Sequence, residues 1–524
     1  MSKKKNKPKK IKPEVLKGFK DYPPSEEIAR QKLVAVFREV FESFGFSPLQ
    51  TPALERVEVL KGSDYGQENL ETIFSFVGPE KTDMALRFEM TASLARYVAG
   101  NPDLPLPFRR YQIGPVWRVD KPGPGRFREF TQFDIDSVGT SSMLADAEIM
   151  AAICKSFEKL GLPNYKVKYS NRKILNGIWK YVGIPDEKAQ DVFRVLDKRE
   201  KQGMEAVKLE LGSGRTDKSG DKIQGLNLPE FQIRMIMWFL LLKPTKSTDV
   251  LTMAERLLKF AQFSKDMKEV ESEFGWTEAI SQMKLGEISM QEIEGRQPEA
   301  GIREAQEGIE ELRLIASYLK NLGVPEEKAE VDLTIVRGLG YYTGPVFETV
   351  LEDIPEVGSV FAGGRYDGLV ERFLGRKIPA TGASAGIDRL LAALMLKGVI
   401  KTEPTISEVL VTAMDKERMP DYLQILNEIR GAGIKAEIFL GETRNFTKQV
   451  KYADRVGIPV AVILGSDEFE NSQVTVKNLV AGRVQAEEVA DREEWLKAEN
   501  IQVTIPRDKM LDYLKKLLGE IKKS

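Results

Sequence analysis

The sequence predicts an α+β protein in which a mainly antiparallel sheet is interrupted by a helical insertion and followed by a separate α/β domain. Three features of the sequence predict this class. Runs rich in aromatic and β-branched residues, cut by Gly-Pro turns, occupy residues 72–138 and resume at Val331. Between these strand-rich parts, residues 176–325 have a mostly helical pattern rich in Lys and Glu. From about residue 405 strands and helices alternate, which is typical of a largely parallel sheet.

The composition is that of a multidomain globular protein. A chain of 524 residues is too long for one hydrophobic core and is expected to form roughly two to four domains. The longest purely apolar run, Met235–Leu242, is far too short to span a membrane, so we expect no membrane partner. The formal net charge is −1, so nucleic acid, if the chain binds it, must be bound through local basic patches rather than a global positive field.

The absence of histidine limits the chemistry that the chain can perform. Without histidine, and with Cys154 as its single cysteine, the sequence excludes Ser-His-Asp triads and most zinc sites. Catalysis is therefore expected to depend on carboxylates, Arg, Lys, Tyr and bound Mg²⁺. A lone cysteine forms no internal disulfide and the chain begins without an apolar signal segment, so we expect a cytoplasmic location. Residues 1–15 are predicted to be a flexible basic tail, with a nucleic-acid-contacting arm as the alternative.

The elements are predicted from hydrophobic spacing and turn residues. Apolar residues at helical spacing predict a first helix over Glu26–Phe44, which Gly45 ends. One helical stretch, Thr91–Val98, interrupts the strand-rich part. The C-terminal domain is predicted to alternate strand, helix, strand, helix and strand over Val409–Ala413, Tyr422–Ala432, Ala436–Phe439, Phe446–Val456 and Pro459–Leu464.

A long hairpin is predicted over Phe108–Val138, because Lys121–Gly125 is too rich in Pro and Gly to continue either strand. Counting by twos puts a polar series on one face of the second strand: Arg126, Arg128, Phe130, Gln132, Asp134 and Asp136. Arg118 and Asp120 share a face of the first strand. Several guanidinium groups on one surface suit a polyanionic ligand, while a solvated face with cross-strand ion pairs is the alternative.

These hairpin residues resemble motif 2 of class II aminoacyl-tRNA synthetases in its histidyl form. Pro52 resembles the motif 1 proline of the dimer interface, and Gly382–Arg389 resembles motif 3. Val336–Gly344 and Ala362–Leu369 resemble the two signatures peculiar to histidyl enzymes. With Leu86–Thr91, the ordered motifs extend over residues 16–400. Residues 405–524 resemble the anticodon-binding domain of this group, in which Arg444, Asn445, Lys448 and Lys451 are candidates for contacting bases and phosphates; a solvated helix face is the alternative.

The resemblance implies a homodimeric enzyme that activates L-histidine with ATP and transfers it to the 3′ end of tRNA-His. It implies that Arg118 and Arg337 are catalytic and hold the α-phosphate of ATP. Arg389 is expected to stack on adenine. Asp120 and Arg126 complete the ATP-binding set, and one or two Mg²⁺ ions assist with the pyrophosphate.

For the amino acid, the resemblance implies binding of the amino end by a short segment and one amide: Glu89, Met90, Thr91 and Gln132. Asp136, Tyr341 and Tyr342 are expected to bind the imidazole ring. Amino acids without the ring nitrogens would leave these buried polar groups unpaired, which discriminates against them. Ordinary core packing is the alternative role for the two tyrosines.

The motifs also suggest domain limits and a competing function. The expected division is a basic tail (1–15), a catalytic domain in two parts (16–175 and 326–400), a helical insertion (176–325) that clamps the tRNA acceptor stem, and an anticodon-binding domain (405–524). The alternative function is a histidine-sensing regulatory paralogue of the first histidine-biosynthesis enzyme, which usually lacks the C-terminal domain and the arginine set. A sensor of uncharged tRNA would need fused signalling domains.

Overall fold

The computed structural model shows two compact units. One comprises Leu33–Val399 with the segment before Asp21, and the other comprises Asp21–Lys32 with the chain from Ile400 onward. The residues described by the structure are 11–61, 73–119, 121–123, 125–197, 202–217, 220–230, 232–233, 236–237, 297–333, 335, 342–400, 402–488 and 501–522. Within these ranges, no helix is both long enough and apolar enough to cross a membrane.

Over the residues that the structure describes, the first unit consists of helices, numbered in chain order, and three sheets. Its helices are α1 (Pro24–Ser43, which begins in the other unit), α2 (Val57–Leu60), α3 (Thr91–Ala99), α4 (Met143–Lys159), α5 (Arg172–Val182), α6 (Asp186–Asp197), α7 (Met204–Leu211), α8 (Pro298–Asn321), α9 (Glu371–Leu374) and α10 (Ile387–Leu396). Its strands are β1 (Ser47–Pro48), β2 (Leu54–Arg56), β3 (Ser75–Val77), β4 (Asp83–Leu86), β5 (Phe108–Trp117), β6 (Glu129–Val138), β7 (Tyr165–Asn171), β8 (Gly214–Thr216), β9 (Lys222–Gln224), β10 (Ala329–Val331), β11 (Pro345–Leu351), β12 (Ser359–Arg365) and β13 (Ala380–Gly386).

The main sheet has eight strands in the order β1-β5-β6-β13-β12-β11-β7-β10. The two outermost pairings are parallel, and the five inner pairings are antiparallel. This arrangement confirms the predicted fold class. The predicted hairpin forms β5 and β6, whose antiparallel register runs from Phe108 opposite Val138 to Trp117 opposite Glu129. The smaller sheets have the order β2-β4-β3 and the single pair β8-β9.

One face of the main sheet is covered by an aromatic core. Phe133 of β6 lies 5.1 Å from Phe41 and 6.1 Å from Phe37 of α1, measured between ring centroids. Phe37 also contacts Phe157 of α4 and Phe361 of β12. Such aromatic pairs contribute roughly 0.5–1.5 kcal/mol each beyond the burial of their surface. Because side chains alternate along a strand, burial of this face leaves the even-numbered residues of β6 on the opposite one.

The two ends of the predicted insertion pack together as α5 and α8. A Cβ atom added to Gly177 would lie 2.4 Å from the carbonyl oxygen of Gly301, so glycine permits the close approach of the two helix backbones. At the start of α5, the Asn171 side chain accepts a hydrogen bond from the Lys173 amide and donates one to Glu311 of α8. The β8-β9 pair also lies within this part of the chain, which the sequence had predicted to be mostly helical.

The second unit holds a five-stranded sheet. Its elements are β14 (Val409–Val411), α11 (Met419–Gly431), β15 (Ala436–Ile438), α12 (Phe446–Val456), β16 (Val460–Ile463), α13 (Ser466–Glu470), β17 (Gln473–Asn478), α14 (Leu479–Glu488), β18 (Gln502–Pro506) and α15 (Met510–Ile521). The strand order is β15-β14-β16-β17-β18. The first two pairings are parallel and the last two are antiparallel, so the predicted largely parallel sheet is correct only for β14, β15 and β16. The connection from β16 to β17 is too short for a parallel crossover, which needs about a dozen residues.

Candidate active site

The β5-β6 hairpin brings the polar residues of both strands onto one face. Arg110 pairs with Asp136, Gln112 with Asp134, and Gly114 with Gln132 across the strands. Asp134 and Asp136 are buried, with 3% and 2% of their surface exposed. This end of the face is therefore a protected polar site with a cross-strand ion pair.

Asp136 is held from both sides. The Arg110 Nη2 atom lies 2.8 Å from Asp136 Oδ2, and the Tyr366 hydroxyl donates a hydrogen bond to Asp136 Oδ1. Burial raises the pKa of Asp136, and the positive charge of Arg110 opposes this shift. A Cβ atom on Gly382 of β13 would lie 1.9 Å from Asp136 Oδ1, so a glycine is required at this position of the neighbouring strand.

The segment before α3 supplies a third carboxylate to this region. Glu89 Oε2 accepts a hydrogen bond from the Thr91 amide at 2.5 Å, and Oε1 accepts one from the Ala92 amide at 2.7 Å. Glu89 thus caps the first turn of α3, where the helix dipole favours a negative charge. The side chain of Met90 is completely buried in the core. The negative charge of Glu89 also acts on Asp134 and Asp136, which places the three carboxylates in one electrostatic cluster.

Two further predicted amino-acid ligands lie in the same region. Gln132 is 9% exposed, and its Oε1 atom has no hydrogen-bond partner within the described part of the chain. Tyr342 packs against the backbone of β12, where a Cβ atom on Gly364 would lie 3.0 Å from its ring. Burial and the charges of Asp136 and Asp134 raise the pKa of the Tyr342 hydroxyl. The hydroxyl therefore keeps its proton at neutral pH.

Two arginines of motif 2, Arg118 and Arg126, act on Arg389 of motif 3. Arg118 donates from Nε to the Phe88 carbonyl at 3.1 Å, and its guanidinium lies over the Phe130 ring at 5.1 Å. Arg389 donates to the Ser359 carbonyl at 3.1 Å. Burial lowers the pKa of Arg389, and the positive charges of Arg126 and Arg118 lower it further. The positive charges of Arg118 and Arg126 thus act on Arg389, and a bound anion would relieve this repulsion.

A hydrogen bond joins motif 3 directly to motif 2. Asp388 Oδ2, in the first turn of α10, accepts from the Thr131 amide of β6 at 2.6 Å. Arg389 is the next residue of the same helix. The bond therefore sets the position of Arg389 relative to the arginines of the hairpin.

Several predicted positions lie outside the described residues or away from this site. Asp120, Arg337 and Tyr341 lie outside the described residues, and their roles stay predictions. Pro52 is exposed, and its carbonyl oxygen lies 3.4 Å from Arg87 Nη1.

The candidate base-contacting residues of the second unit lie around the start of α12. Lys448 and Lys451 of this helix are exposed, while the Asn445 side chain caps it by accepting from the Lys448 amide.

Sequence reasoning missed three residues that organise the site. Arg110 has the same strand parity as Arg118, and this spacing could have placed it on the polar face. Tyr366 and Arg365 belong to a signature segment that the sequence had singled out, but no spacing rule indicated their contacts. Arg365 forms a buried ion pair with Asp146 of α4. It also donates hydrogen bonds to the carbonyl oxygens of Thr140 and Ser142, just before α4 begins. These contacts fix the end of β12.

Comparisons with known proteins agree with these motifs. The histidyl-tRNA synthetase family model matches residues 18–273 and 252–390, and the anticodon binding domain model matches residues 408–517. The histidine-tRNA ligase of Ruegeria sp. (strain TM1040) is 41% identical over 99% of this chain and 98% of its own length. That of Paracoccus denitrificans (strain Pd 1222) is 41% identical over 99% of this chain and 100% of its own length.

Solved structures are similar over most of the chain. The crystal structure of histidyl-tRNA synthetase from Nostoc sp. PCC 7120 has a TM-score of 0.74 and 31% identity, covering 97% of this chain and 100% of that one. A Bacillus halodurans C protein, described as an ATP phosphoribosyltransferase regulatory subunit/histidyl-tRNA synthetase, has a TM-score of 0.63 at 22% identity and shares the fold. Family models cover most of the sequence, and full-length relatives exceed 40% identity. This chain therefore belongs to the histidyl-tRNA synthetase family.

Proposed function

We propose that this chain is a histidine-tRNA ligase that forms histidyl-adenylate and pyrophosphate from L-histidine and ATP, and then transfers histidine to the 3′ end of tRNA-His. The observation that carries the proposal is the placement of an arginine cluster and a carboxylate cluster around one hairpin, β5-β6, with Arg389 of α10 and Glu89 before α3 added from neighbouring elements. Arg118, Arg126 and Arg389 form the first, and Asp136 with Glu89 forms the second. The phosphates of ATP and the ammonium group of an amino acid have these complementary charges.

In the first step, a carboxylate oxygen of histidine attacks the α-phosphorus of ATP. The bond from that phosphorus to the bridging oxygen breaks, and pyrophosphate leaves. No proton transfer is required, so positioning and charge stabilisation are sufficient and the absence of histidine from the chain is no obstacle. Arg118 stabilises the charge that develops on the α-phosphate, and we assign the same role to Arg337.

The other ATP contacts follow from the arginine cluster. Arg389 stacks on the adenine ring, Arg126 reaches the phosphates, and Asp120 binds the amino edge of the purine. Within the described ranges, no cluster of three or more His, Cys, Asp or Glu residues could hold a metal by itself. Mg²⁺ is therefore proposed to enter with the phosphates of ATP, as part of the substrate.

The amino acid lies against the carboxylate pocket. Glu89, Thr91 and Gln132 accept hydrogen bonds from the ammonium group, for which a carboxylate, a hydroxyl and an amide oxygen are suitable acceptors. The side chain of Met90 is buried in the core and so holds this segment in place. Asp136 and the two tyrosines, Tyr341 and Tyr342, bind the ring.

In the second step, the terminal ribose hydroxyl of the tRNA attacks the carbonyl carbon of the adenylate, and AMP leaves. The hydroxyl proton passes to a phosphate oxygen of the adenylate, because the chain has no histidine to act as base. Transfer from an analogue with that phosphate oxygen replaced should be slowed strongly. Normal transfer from the analogue would refute this role of the phosphate.

Binding of the tRNA involves the remaining parts of the chain. The second unit is proposed to read the anticodon through Arg444, Asn445, Lys448 and Lys451, and the insertion to clamp the acceptor stem. A homodimer with the segment around Pro52 at its interface completes the proposal.

The alternative of a histidine-sensing regulatory subunit has less support. Such chains usually lack the C-terminal domain and lose the arginines, whereas this chain retains Arg118, Arg337 and Arg389 and matches the anticodon-binding family over residues 408–517. The likeness to a protein described partly in those terms, at 22% identity, shows the fold alone.

The test is histidine-dependent exchange of pyrophosphate into ATP, run against the other amino acids. Replacement of Arg118 with Ala should reduce exchange by roughly two to three orders of magnitude, the usual cost of one charge-stabilising donor. Arg313→Ala is the matched control, because Arg313 is half-buried on α8, away from the hairpin, and pairs with Glu310. No exchange with any amino acid would favour the regulatory alternative.

A further inference from the structure

Before its first helix begins, the chain turns against the β5-β6 hairpin. The Phe19 amide donates to the Leu16 carbonyl at 3.0 Å and closes a turn over Leu16–Phe19, the N-terminal turn. Gly18 occupies the third position of this turn with a φ of +87°, a conformation that favours glycine. Gly18 and Phe19 are half-buried, whereas residues 11–17 are exposed. The N-terminal turn is therefore the place where this exposed segment meets the first unit.

The described residues between 118 and 128 form the tip of the hairpin, which lies beyond the pairing of the main sheet. The register of β6 with β13 ends at Gln132. A ribbon of two strands is only marginally stable by itself in water, and the loop Lys121–Gly125 is rich in Pro and Gly. The tip nevertheless carries Arg118 and Arg126, the motif 2 arginines that are proposed to bind the phosphates of ATP. The main sheet alone does not fix the position of these two arginines.

The N-terminal turn supplies a backbone acceptor to the tip. The Arg118 amide donates to the Arg128 carbonyl at 2.9 Å, which continues the antiparallel register of β5 and β6 by one pair. In a regular ladder the Arg128 amide would donate back to Arg118. It donates instead to the Gly18 carbonyl, at 2.7 Å. The turn thus takes the place of the opposite strand at the residue that is paired with the proposed catalytic arginine.

Gly18 also lies between the two arms of the tip. A Cβ atom at this position would lie 2.8 Å from Cγ of Pro122, which precedes the loop, and 2.9 Å from Cγ and Cδ of Arg128, which follows it. The Lys20 ammonium, just beyond the turn, lies 5.9 Å from the centroid of the Phe127 ring. Glycine is therefore required at this point for the turn to reach the backbone of the tip.

The N-terminal turn is itself held by the β2-β4-β3 sheet. The Phe19 ring lies edge-on to the Phe74 ring, with 6.3 Å between centroids. The Phe74 carbonyl accepts from the Leu86 amide at 2.9 Å, at the end of β4. Two residues further on, the Phe88 carbonyl accepts from Arg118 Nε at 3.1 Å. The end of β4 therefore supports both the turn and the side chain of Arg118.

The second phosphate ligand lies between the two arms that Gly18 contacts. Gly123 and Arg126 exchange backbone hydrogen bonds of 3.1 and 2.9 Å, which close the loop directly after Pro122. Arg126 is thus joined by short stretches of chain to Pro122 on one side and to Arg128 on the other. A displacement of these two arms would move Arg126 with them.

We propose that Gly18 is a positioning residue for ATP, and that the N-terminal turn holds Arg118 and Arg126 where they bind the phosphates. This inference rests on the proposed function. Gly18 acts through the backbone of the tip rather than by touching a substrate. The carboxylate pocket proposed for histidine has its own supports, within the main sheet and at α3. Release of the turn should therefore weaken the binding of ATP and leave the binding of histidine largely unchanged.

The first experiment compares the wild-type chain with Gly18→Ala in pyrophosphate exchange. The added Cβ must displace Pro122 or Arg128, and an alanine at positive φ is strained, so the turn should leave the tip. We expect the KM for ATP to rise at least about tenfold, as when a charge-assisted contact is weakened, while the KM for histidine stays within about twofold. Because bound ATP draws the tip back into place, kcat at saturating ATP should change less than about threefold. An unchanged KM for ATP, or an equal rise in both KM values, would overturn the proposal.

Gly45→Ala is the matched control. Gly45 follows α1 in the same unit and has a similar φ of +79°, and nothing in the described part of the chain lies within 4 Å of the added Cβ. Both variants carry the strain of an alanine at positive φ, so both should lower the melting temperature. Only Gly18→Ala should change the KM for ATP. The same rise in the control would mean that backbone strain, and not the contact with the tip, weakens ATP binding.

A second measurement needs no variant and applies even if Gly18→Ala fails to fold. If the N-terminal turn favours the position of the tip that binds ATP, bound ATP must favour the contact between turn and tip, because such coupling is reciprocal. Hydrogen exchange of the wild-type chain is followed by mass spectrometry with and without saturating ATP and Mg²⁺. The amides of residues 16–20 should exchange about fivefold more slowly, or slower still, when ATP is bound. Unchanged exchange in this segment with ATP bound would overturn the proposal.

The outcomes separate this inference from the proposed function. Histidine-dependent pyrophosphate exchange by the wild type, with an unchanged KM for ATP in Gly18→Ala, would refute only the role of the N-terminal turn. Slower hydrogen exchange of residues 16–20 with ATP, in a chain that exchanges pyrophosphate with no amino acid, would support that role and refute the proposed function.

Discussion

Asp136 owes its orientation to two neighbours that the chain brings from distant positions. The Arg110 guanidinium is completely buried and lies 2.8 Å from Asp136 Oδ2, while the Tyr366 hydroxyl donates to Oδ1. A hydrogen bond to a charged group contributes roughly 1.5–3 kcal/mol when its loss leaves the acceptor buried. The aromatic ring of Tyr366 meanwhile packs in the core with Leu369 and Val370. Hydroxyl and ring therefore have separable roles.

Replacement of Tyr366 with Phe tests the role of the hydroxyl. The ring is retained, so the fold should persist, but Asp136 loses one partner and the KM for histidine should rise roughly ten- to hundredfold. The measurement is the KM for histidine and for ATP in pyrophosphate exchange, with the melting temperature as the check on folding. Tyr452→Phe is the control, because its hydroxyl donates to Glu437 at 2.9 Å in the other unit. An equal rise in both KM values would contradict a role specific to the amino acid.

The raised pKa of Asp134 has a consequence for stability. In the folded chain the pKa is about 7, whereas an unfolded aspartate has a pKa of about 3.9. Between these two pH values the folded state binds the proton and the unfolded state does not, so the free energy of unfolding falls as the pH rises. The stabilisation from the protonated Asp134 is therefore fully present below about pH 4 and is lost by about pH 7. Asp134→Asn removes this dependence. From pH 4.5 to pH 8, the melting temperature of the variant should rise relative to that of the wild type. A constant difference between the two melting temperatures across that range would contradict the raised pKa.

At the scale of elements, the hairpin and the C-terminal sheet show what a sequence can predict. The hairpin was predictable because alternation with a period of two and the loop Lys121–Gly125 are both local signals. The antiparallel direction of β17 could not be predicted in this way, because it depends on the length of the connection from β16 rather than on the residues of the strand. The Tyr366–Asp136 bond joins residues 230 positions apart, and no spacing pattern indicates such a contact. Local patterns thus gave the strands and the polar face, while long-range packing determined which polar atoms meet.

The packing of α5 against α8 gives a prediction about the insertion. A Cβ atom at position 177 would lie 2.4 Å from a backbone carbonyl oxygen, which cannot rotate away as a side chain can. Gly177→Ala should therefore separate the helices and lower the free energy of unfolding by about 1–3 kcal/mol. Gly519→Ala is the control, because no atom lies within 4 Å of the added Cβ in α15. Thermal unfolding should show a loss for the first variant and a neutral or slightly positive change for the second.

At the scale of the whole molecule, the two reaction steps make different demands on the two units. Every residue proposed for adenylate formation belongs to the unit that contains Leu33–Val399, whereas the proposed anticodon contacts lie in the unit from Ile400 onward. Formation of the adenylate involves no tRNA. Changes confined to the surface of the second unit should therefore affect transfer and leave the first step intact.

Reversal of two charges on α12 tests this division of labour. Lys448→Glu combined with Lys451→Glu replaces two exposed cations with anions, which should repel tRNA phosphates and raise the KM for tRNA at least tenfold at low salt. Pyrophosphate exchange should stay within about twofold of the wild type, because the substitutions lie outside the adenylate-forming unit. The control reverses Lys515 and Lys516, two exposed cations on α15 of the same unit, and gives the same change in net charge. Because a general electrostatic effect would raise the KM for tRNA equally in both double variants, only a loss confined to the α12 variant places the anticodon contact on that helix.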